Sequence, residues 1–258
     1  MRSTDAAVAA IGAATRELKL PTIRTNATRL AEIAERERST HLAFLAECLA
    51  TELDERSERR RKRRILEAHF PRMKRLDDFD VSAAGDDVNA AVLASLSSLG
   101  FLESGAPVVF LGDSGTGKSH LLIGTGVQAA EAGKRVRYVT CAGLVNELAE
   151  AADERMLSKV ISRYGRLDLL LLDELGYVHL DPRGAELLFQ VITEREEKSS
   201  IAVATNAPFS EWGKTFSDPR LVAAIVDRLT FNATIVETGT ASFRLAASQA
   251  RKAATKKR

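Results

Sequence analysis

Residues Gly112-Asp113-Ser114-Gly115-Thr116-Gly117-Lys118-Ser119 satisfy G-x-x-x-x-G-K-[ST] at every fixed position. An apolar run, Val108-Val109-Phe110-Leu111, comes before them and a helix-compatible run, His120-Leu121-Leu122-Ile123, comes after. Strand, glycine-rich loop and helix are the context in which this motif has a physical meaning. The glycines let backbone N–H groups curl around a phosphate, and the helix N-terminus adds the positive end of its dipole. Lys118 is spaced to reach the β- and γ-phosphates, and the Ser119 hydroxyl to ligate Mg²⁺. The chemistry implied is binding of a nucleoside triphosphate with its magnesium ion.

A second constellation lies roughly 55 residues downstream, where Leu169-Leu170-Leu171-Leu172 ends in Asp173-Glu174. Ligands gather at strand ends in open α/β sheets. There Asp173 would hold Mg²⁺ through water and Glu174 would polarise an attacking water, since phosphate hydrolysis needs an oriented nucleophile and charge neutralisation. A third apolar run, Ile201-Ala202-Val203-Ala204, ends in Thr205-Asn206. If that strand neighbours the first, Asn206 holds the water or senses the γ-phosphate; otherwise Thr-Asn is an ordinary turn. Arg228, in Asp227-Arg228-Leu229, is either an arginine finger acting on a neighbour's nucleotide or an exposed cation at a helix end. Arg244, in Ser242-Phe243-Arg244, poses the same choice. His41, His69, His120 and His179 are scattered, without metal-binding spacing.

Five β-rich runs can carry these groups: Val108–Leu111, Arg135–Thr140, Leu169–Leu172, Ile201–Thr205 and Thr234–Glu237. Helical patterns alternate with them, and near-continuous apolar strands between helices imply an α/β fold with a parallel sheet covered on both faces. Upstream, from about Leu30 to Phe70, the pattern is helical, with Leu42, Leu45, Leu49 and Leu53 forming one apolar stripe. That run includes Arg59-Arg60-Arg61-Lys62-Arg63-Arg64 and ends at Pro71. Six consecutive cations wind around a helix, so some face solvent or phosphate, and without interleaved aromatics base stacking is not suggested. The expected organisation is a helical basic domain over 1–70, a linker over 71–88, an ATPase-like domain over 89–246 and a basic tail over 247–258.

Net charge is +2 over 258 residues, but it is divided. Residues 1–75 carry 17 Lys/Arg against 11 Asp/Glu, residues 76–249 carry 15 against 24, and residues 250–258 carry 5 against none. Basic ends on an acidic body suit either a polyanion partner or merely solvated charge. No apolar run approaches a bilayer span, and Cys48 and Cys141 are too far apart for a zinc or redox motif, so a soluble, cytoplasmic protein without a disulfide framework is expected.

From about Arg16 to Ala246 the chain resembles the IstB-type transposition helper ATPases of insertion sequences, relatives of the DnaC-type helicase loaders in the AAA+ class. The resemblance is carried by LKLPTI (Leu18–Ile23), SERRRKRRILEAHFP leading to DDFD (Asp77–Asp80), GDSGTGKS, LLLLDELGY (Leu169–Tyr177) and AELLFQVITER (Ala185–Arg195). It continues through ATNAPFSEWGKTFSDP (Ala204–Pro219), AAIVDRL (Ala223–Leu229) and SFRL (Ser242–Leu245). The chain departs from the family pattern at Thr230-Phe231-Asn232, where a histidine is usual, and has SFR in place of SYR. The resemblance implies an AAA+ core behind a small helical domain, ATP and Mg²⁺ as cofactors, and ATP-dependent homo-oligomers on duplex DNA that stimulate a cognate transposase. It assigns Asn206 as the polar sensor, Arg228 as the arginine finger and Arg244 as a second sensor-like arginine. A helicase loader is the alternative, and the Arg59–Arg64 run favours DNA over it. A small-metabolite P-loop kinase would need a lid arginine cluster and an acceptor site, whereas Asp173-Glu174 with Asn206 and Arg228 fits hydrolysis in an oligomer.

Overall fold

The computed structural model describes residues 2–85, 87–177, 179–216, 218–240 and 242. The chain divides into two compact units, residues 1–63 and 64–258.

The first unit is helical: α1 (Arg2–Glu17), α2 (Pro21–Arg36) and the part of α3 (His41–Glu67) up to residue 63. Pro21 opens α2, where its missing N–H and fixed φ cost nothing. No side chain of the preceding residue caps this helix. Instead Glu52, 2 % exposed on α3, accepts the N–H groups of Thr22 (2.8 Å) and Ile23 (3.1 Å). Burial alone would raise the Glu52 pKa, but those two N–H groups with Arg56 and Arg59 overcome it and hold the carboxyl below its ordinary value. Cys48 and Glu52 mark the buried face of α3. The stripe Leu42, Leu45, Leu49 and Leu53 forms as a helical row, yet every member is exposed. Periodicity identifies the helix, and the carboxylate, with its N–H partners on α2, chooses which face turns inward.

The second unit is built on a parallel five-stranded sheet: β1 (Val108–Leu111), β2 (Val136–Thr140), β3 (Leu169–Leu175), β4 (Ser200–Thr205) and β5 (Thr234–Glu237), in the order β2-β3-β4-β1-β5. Sequence and structure agree on all five strands, with β3 running three residues further to include both carboxylates. Alternation sends Leu170, Leu172, Ile201 and Val203 to one face, against α7 (Cys141–Asp153), α8 (Leu157–Gly165), α9 (Pro182–Arg195) and α10 (Pro219–Thr230). Leu169, Leu171, Ala202 and Ala204 go to the other, against α6 (Lys118–Glu131). The small alanines of β4 on that face suit the close approach of α6. Two short helices, α4 (Ala90–Ser98) and α5 (Phe101–Ser104), precede β1. Asn89 caps α4 by accepting from the Ala91 and Val92 N–H groups, as expected for an N-cap asparagine.

Residues 64–88 belong to this unit structurally. Ala68, Leu76 and Val88 are buried in the α6-side core, with Ile65, Phe70 and Phe79 packed against it. The segment whose composition suggests a linker is therefore a packed strap: Asp77, Asp78, Asp80, Ser82 and Asp87 are exposed while isolated apolar residues point in. On the opposite face Arg195, 1 % exposed, donates to the Tyr164 and Ser200 carbonyls, fastening the end of α9 to α8 and to β4. Burial lowers its pKa to about 10, so the guanidinium stays charged near neutrality.

Candidate active site

β1 delivers the chain into the glycine loop. Gly115 and Gly117 have φ of +91° and +103°, where an L side chain is strained. Space is short as well: a Cβ on Gly117 would lie 2.7 Å from Phe79 Cε2, and one on Gly115 2.3 Å from Ser242 Oγ, so the facing side chain would have to move in each case. Neighbouring segments brace the loop. Asp113 N–H donates to the Gly239 carbonyl (3.0 Å), and the hydroxyls of Thr116 and Thr238 share a buried 2.6 Å hydrogen bond. Ser114 is exposed at the crest. Lys118 Nζ donates to the Asp113 carbonyl at 2.7 Å, folded back across the loop.

Because β4 lies between β1 and β3, the three strand-end constellations converge at one edge of the sheet. Leu111 pairs with Thr205, and Gly112 N–H donates to the Thr205 carbonyl at 3.3 Å, so Asn206 is beside the start of the loop and exposed. The adjacency on which the reading of Asn206 depends is present.

Asp173 is 5 % exposed and well supplied with donors. Its Oδ1 accepts Ser119 Oγ–H at 3.3 Å and the Glu174 N–H at 2.9 Å, and its Oδ2 accepts the Tyr138 hydroxyl at 2.9 Å. The Tyr138 pKa is driven up, first by burial and then by the carboxylate it touches, so the phenol remains a donor. Nothing in the sequence singles out Tyr138, because a tyrosine in a strand is ordinarily packing. Glu174 has φ +61° and coincides with a register shift between Leu172 and Leu175. This irregularity takes Glu174 out of strand alternation and leaves its side chain exposed at the mouth. A non-glycine residue in this conformation stores strain that is found disproportionately at functional sites. Phe79 likewise carries no individual signal in the sequence; its ring covers Gly117 and meets His120 edge-on at 5.3 Å. His120 Nε2–H donates to the Arg75 carbonyl, and burial lowers the His120 pKa.

The residues fit magnesium and a polyphosphate. Ser119 Oγ and Asp173 supply hard oxygens, and Mg²⁺ commonly takes one or two protein ligands and completes its shell with phosphate oxygens and water. Among the described residues no cluster of three or more His, Cys, Asp or Glu side chains is assembled, so a cation here would depend on the phosphates.

Arg228 is elsewhere. It sits near the end of α10, which leads to β5, where Thr234 N–H donates to the Pro107 carbonyl just before β1. That is the opposite end of β1 from the loop, about 13 Å away for a four-residue strand. Arg228 lines a cavity of about 200 Å³ with Arg195, Glu196, Pro107 and Asn232. Its guanidinium lies over the Phe189 ring at 4.8 Å, and Nη1 donates to the Ala224 carbonyl. Glu196 Oε2 is 2.8 Å from Nε but off the N–H direction, which makes the pair electrostatic without a hydrogen bond. Arg244 lies outside the described residues.

The basic run falls on α3. Arg59 donates to Thr22 Oγ1 at 2.8 Å, Arg61 pairs with Glu58, and Arg64 is half-buried, donating to the Gly133 carbonyl and to Glu67. Arg60, Lys62 and Arg63 are exposed. The six cations thus do unequal work: Arg59 and Arg64 hold the protein together locally, and the intervening ones face outward.

Comparison with known proteins agrees with this architecture. Residues 13–252 match the family model described as IstB-like ATP binding protein. A putative insertion sequence ATP-binding protein of Sinorhizobium fredii is 38 % identical over 236 residues, covering 92 % of this chain and 79 % of the relative. The putative ATP-binding protein of insertion sequence IS232 from Bacillus thuringiensis is 32 % identical over 234 residues, covering 90 % and 93 %. Among solved structures, the DnaC helicase loader superposes with a TM-score of 0.51 at 20 % identity, covering 64 % of this chain and 96 % of that one. DnaI gives 0.53 at 18 %, covering 66 % and 95 %. These similarities show the fold: an α/β AAA+ core of the P-loop kind. With its glycine loop, strand-end carboxylates and near-complete family match, the chain belongs to the IstB-like ATP binding proteins of insertion sequences.

Proposed function

We propose that this chain is a cytoplasmic Mg²⁺-dependent ATPase that assembles on duplex DNA and assists a cognate transposase. The observation that carries the reading is the convergence of the glycine loop, Asp173-Glu174 and Asn206 at the carboxyl ends of three adjacent strands. Backbone N–H groups of residues 112–119 bind the phosphates, and Lys118 turns from the Asp113 carbonyl to the β- and γ-oxygens. Ser119 and Asp173 are the residues that would hold Mg²⁺, whose chemistry is to neutralise charge on the phosphates. Glu174, exposed at the mouth, takes a proton from the attacking water, and Asn206 orients that water.

Arg228 serves a neighbouring subunit's nucleotide, because its place at the far end of β1 puts its own out of reach. Self-association is therefore part of the mechanism. The Sinorhizobium fredii and Bacillus thuringiensis relatives, 38 % and 32 % identical, are insertion-sequence proteins, while the helicase-loader likeness concerns the fold. That difference favours transposition over helicase loading.

The test mixes two inactive variants. Glu174→Gln should bind ATP and hydrolyse it at least about 10²-fold more slowly. Arg228→Ala should lose about 10³-fold, as for other arginine fingers. Their mixture should recover turnover, because a wild-type Glu174 then meets a neighbour's wild-type Arg228. A mixture no more active than either parent refutes the shared site, and Lys118→Ala mixed with Glu174→Gln, where neither subunit carries an intact site of its own, serves as the negative control.

A further inference from the structure

Tyr138 is not part of the glycine loop or of the strand-end carboxylates, yet its hydroxyl is bonded to Asp173. We propose that Tyr138 is a positioning residue of the cation site: it holds the Asp173 carboxylate so that Oδ1, together with Ser119 Oγ, is presented to Mg²⁺. This rests on the reading of Ser119 and Asp173 as the magnesium residues.

The placement follows from the sheet. β2 pairs with β3 so that Tyr138 is opposite Leu171, two residues before Asp173. Residues i and i+2 share a face, so Leu171 and Asp173 both face α6, whose first turn carries Ser119. The Tyr138 ring packs into that same core, and its hydroxyl reaches along the sheet to Oδ2 at 2.9 Å. Tyr138 N–H is tied to the Ala68 carbonyl at 2.8 Å, so the backbone beneath the ring is fixed as well.

The two carboxylate oxygens are thereby distinguished. Oδ2 is engaged from the β2 side, while Oδ1 faces Ser119. When Ser119 exchanges its hydrogen bond for a cation, the Glu174 N–H still holds Oδ1, and the Tyr138 hydroxyl is the bond that keeps Oδ2 turned toward β2 and so limits rotation of the carboxylate. β2 is the edge strand beyond β3, with β3 and β4 between it and β1 with its phosphate loop. Tyr138 is thus on the far side of Asp173 from β1 and reaches the site through its hydrogen bond to that carboxylate. Partners of this outer kind typically change metal affinity about 10- to 100-fold when removed.

The experiment uses the full-length chain and the variant Tyr138→Phe, which keeps the ring and removes only the donor. Affinity for a fluorescent ATP analogue is measured in EDTA and across a Mg²⁺ titration, alongside turnover and thermal melting. Metal-free nucleotide affinity should match wild type. Half-saturation by Mg²⁺, read from both nucleotide affinity and turnover, should rise roughly 10-fold, with kcat restored at high Mg²⁺. Tyr138→His, which keeps a ring and an N–H donor, should fall between the two and serves in place of Tyr138→Phe if that variant does not fold. An unchanged Mg²⁺ response, or an equal loss of affinity with and without metal, overturns the proposal. Asp173→Asn separates the two levels. If it too leaves the Mg²⁺ response unchanged, the assignment of the cation site is wrong. If it abolishes the response while Tyr138→Phe behaves as wild type, only the role of Tyr138 is overturned.

Discussion

Gly117 illustrates how a single position serves both backbone and packing. Its φ of +103° lets the loop turn into α6, and its missing Cβ makes room for the Phe79 ring. Gly117→Ala faces two independent costs. The left-handed conformation is strained by roughly 1–3 kcal/mol, and the ring must move away from a Cβ that would lie 2.7 Å from it. ATP affinity should fall at least about 10-fold, because each step of roughly 1.4 kcal/mol is a factor of ten. Adding Phe79→Leu should relieve only the packing part. Isothermal titration of the single and double variants checks this, and full recovery in the double variant would show that backbone conformation contributes nothing.

Helix α2 begins without a side-chain cap of its own, and α3 supplies one. Glu52 is a buried carboxylate whose ionised form is held by two N–H groups at a helix N-terminus, where the dipole also favours negative charge. Glu52→Gln should destabilise the N-terminal unit by about 1.5–3 kcal/mol at pH 7, the range for a hydrogen bond to a charged group. The sign with pH follows from the lowered pKa. The contribution is complete above the unfolded value of about 4.3 and disappears as pH falls through the folded value. Denaturant melts of wild type and variant should therefore differ at pH 7 and converge in acid. A gap that stays constant down to about pH 3, below the ordinary glutamate range, would mean that Glu52 acts by shape alone.

Charge is partitioned along the whole chain, basic at both ends and acidic between, and the outward members of the α3 run give that asymmetry a surface. Long cations without aromatic neighbours bind phosphates and do not read bases. Arg60, Arg61 and Arg63 are the residues to replace by Ala, leaving Arg59 and Arg64 in their internal bonds. Affinity for duplexes of unrelated sequence should drop together, and the log–log salt slope should flatten by about 0.9 for each phosphate that is no longer neutralised. Repetition in an oligomer multiplies the effect, while ATP binding should persist. Unaltered affinity and slope would transfer the run to a protein partner and revive the helicase-loader reading.

The nucleotide loop, the five strands and the paired carboxylates are legible in the chain because each is contiguous. A phosphate cradle needs its glycines and lysine close together in sequence, and a strand buried on both faces must be apolar throughout. Family resemblance adds the place of Arg228, but only the sheet order puts that arginine at the far end of β1 from the loop. The same limit explains the residues that carry no sequence signal. Tyr138 and Asp173 are 35 positions apart, Thr116 and Thr238 are 122 apart, and Glu52 accepts from Thr22, 30 positions earlier. No local period encodes such pairs. The exposed leucines of α3 make the point in reverse: spacing announces that a helix has an apolar row, whereas which row is buried depends on the partners that folding brings against it. Local chemistry is written in order along the chain, but which side chains share a proton or a cation is set by strand neighbours and helix faces, and those exist only once distant segments have packed.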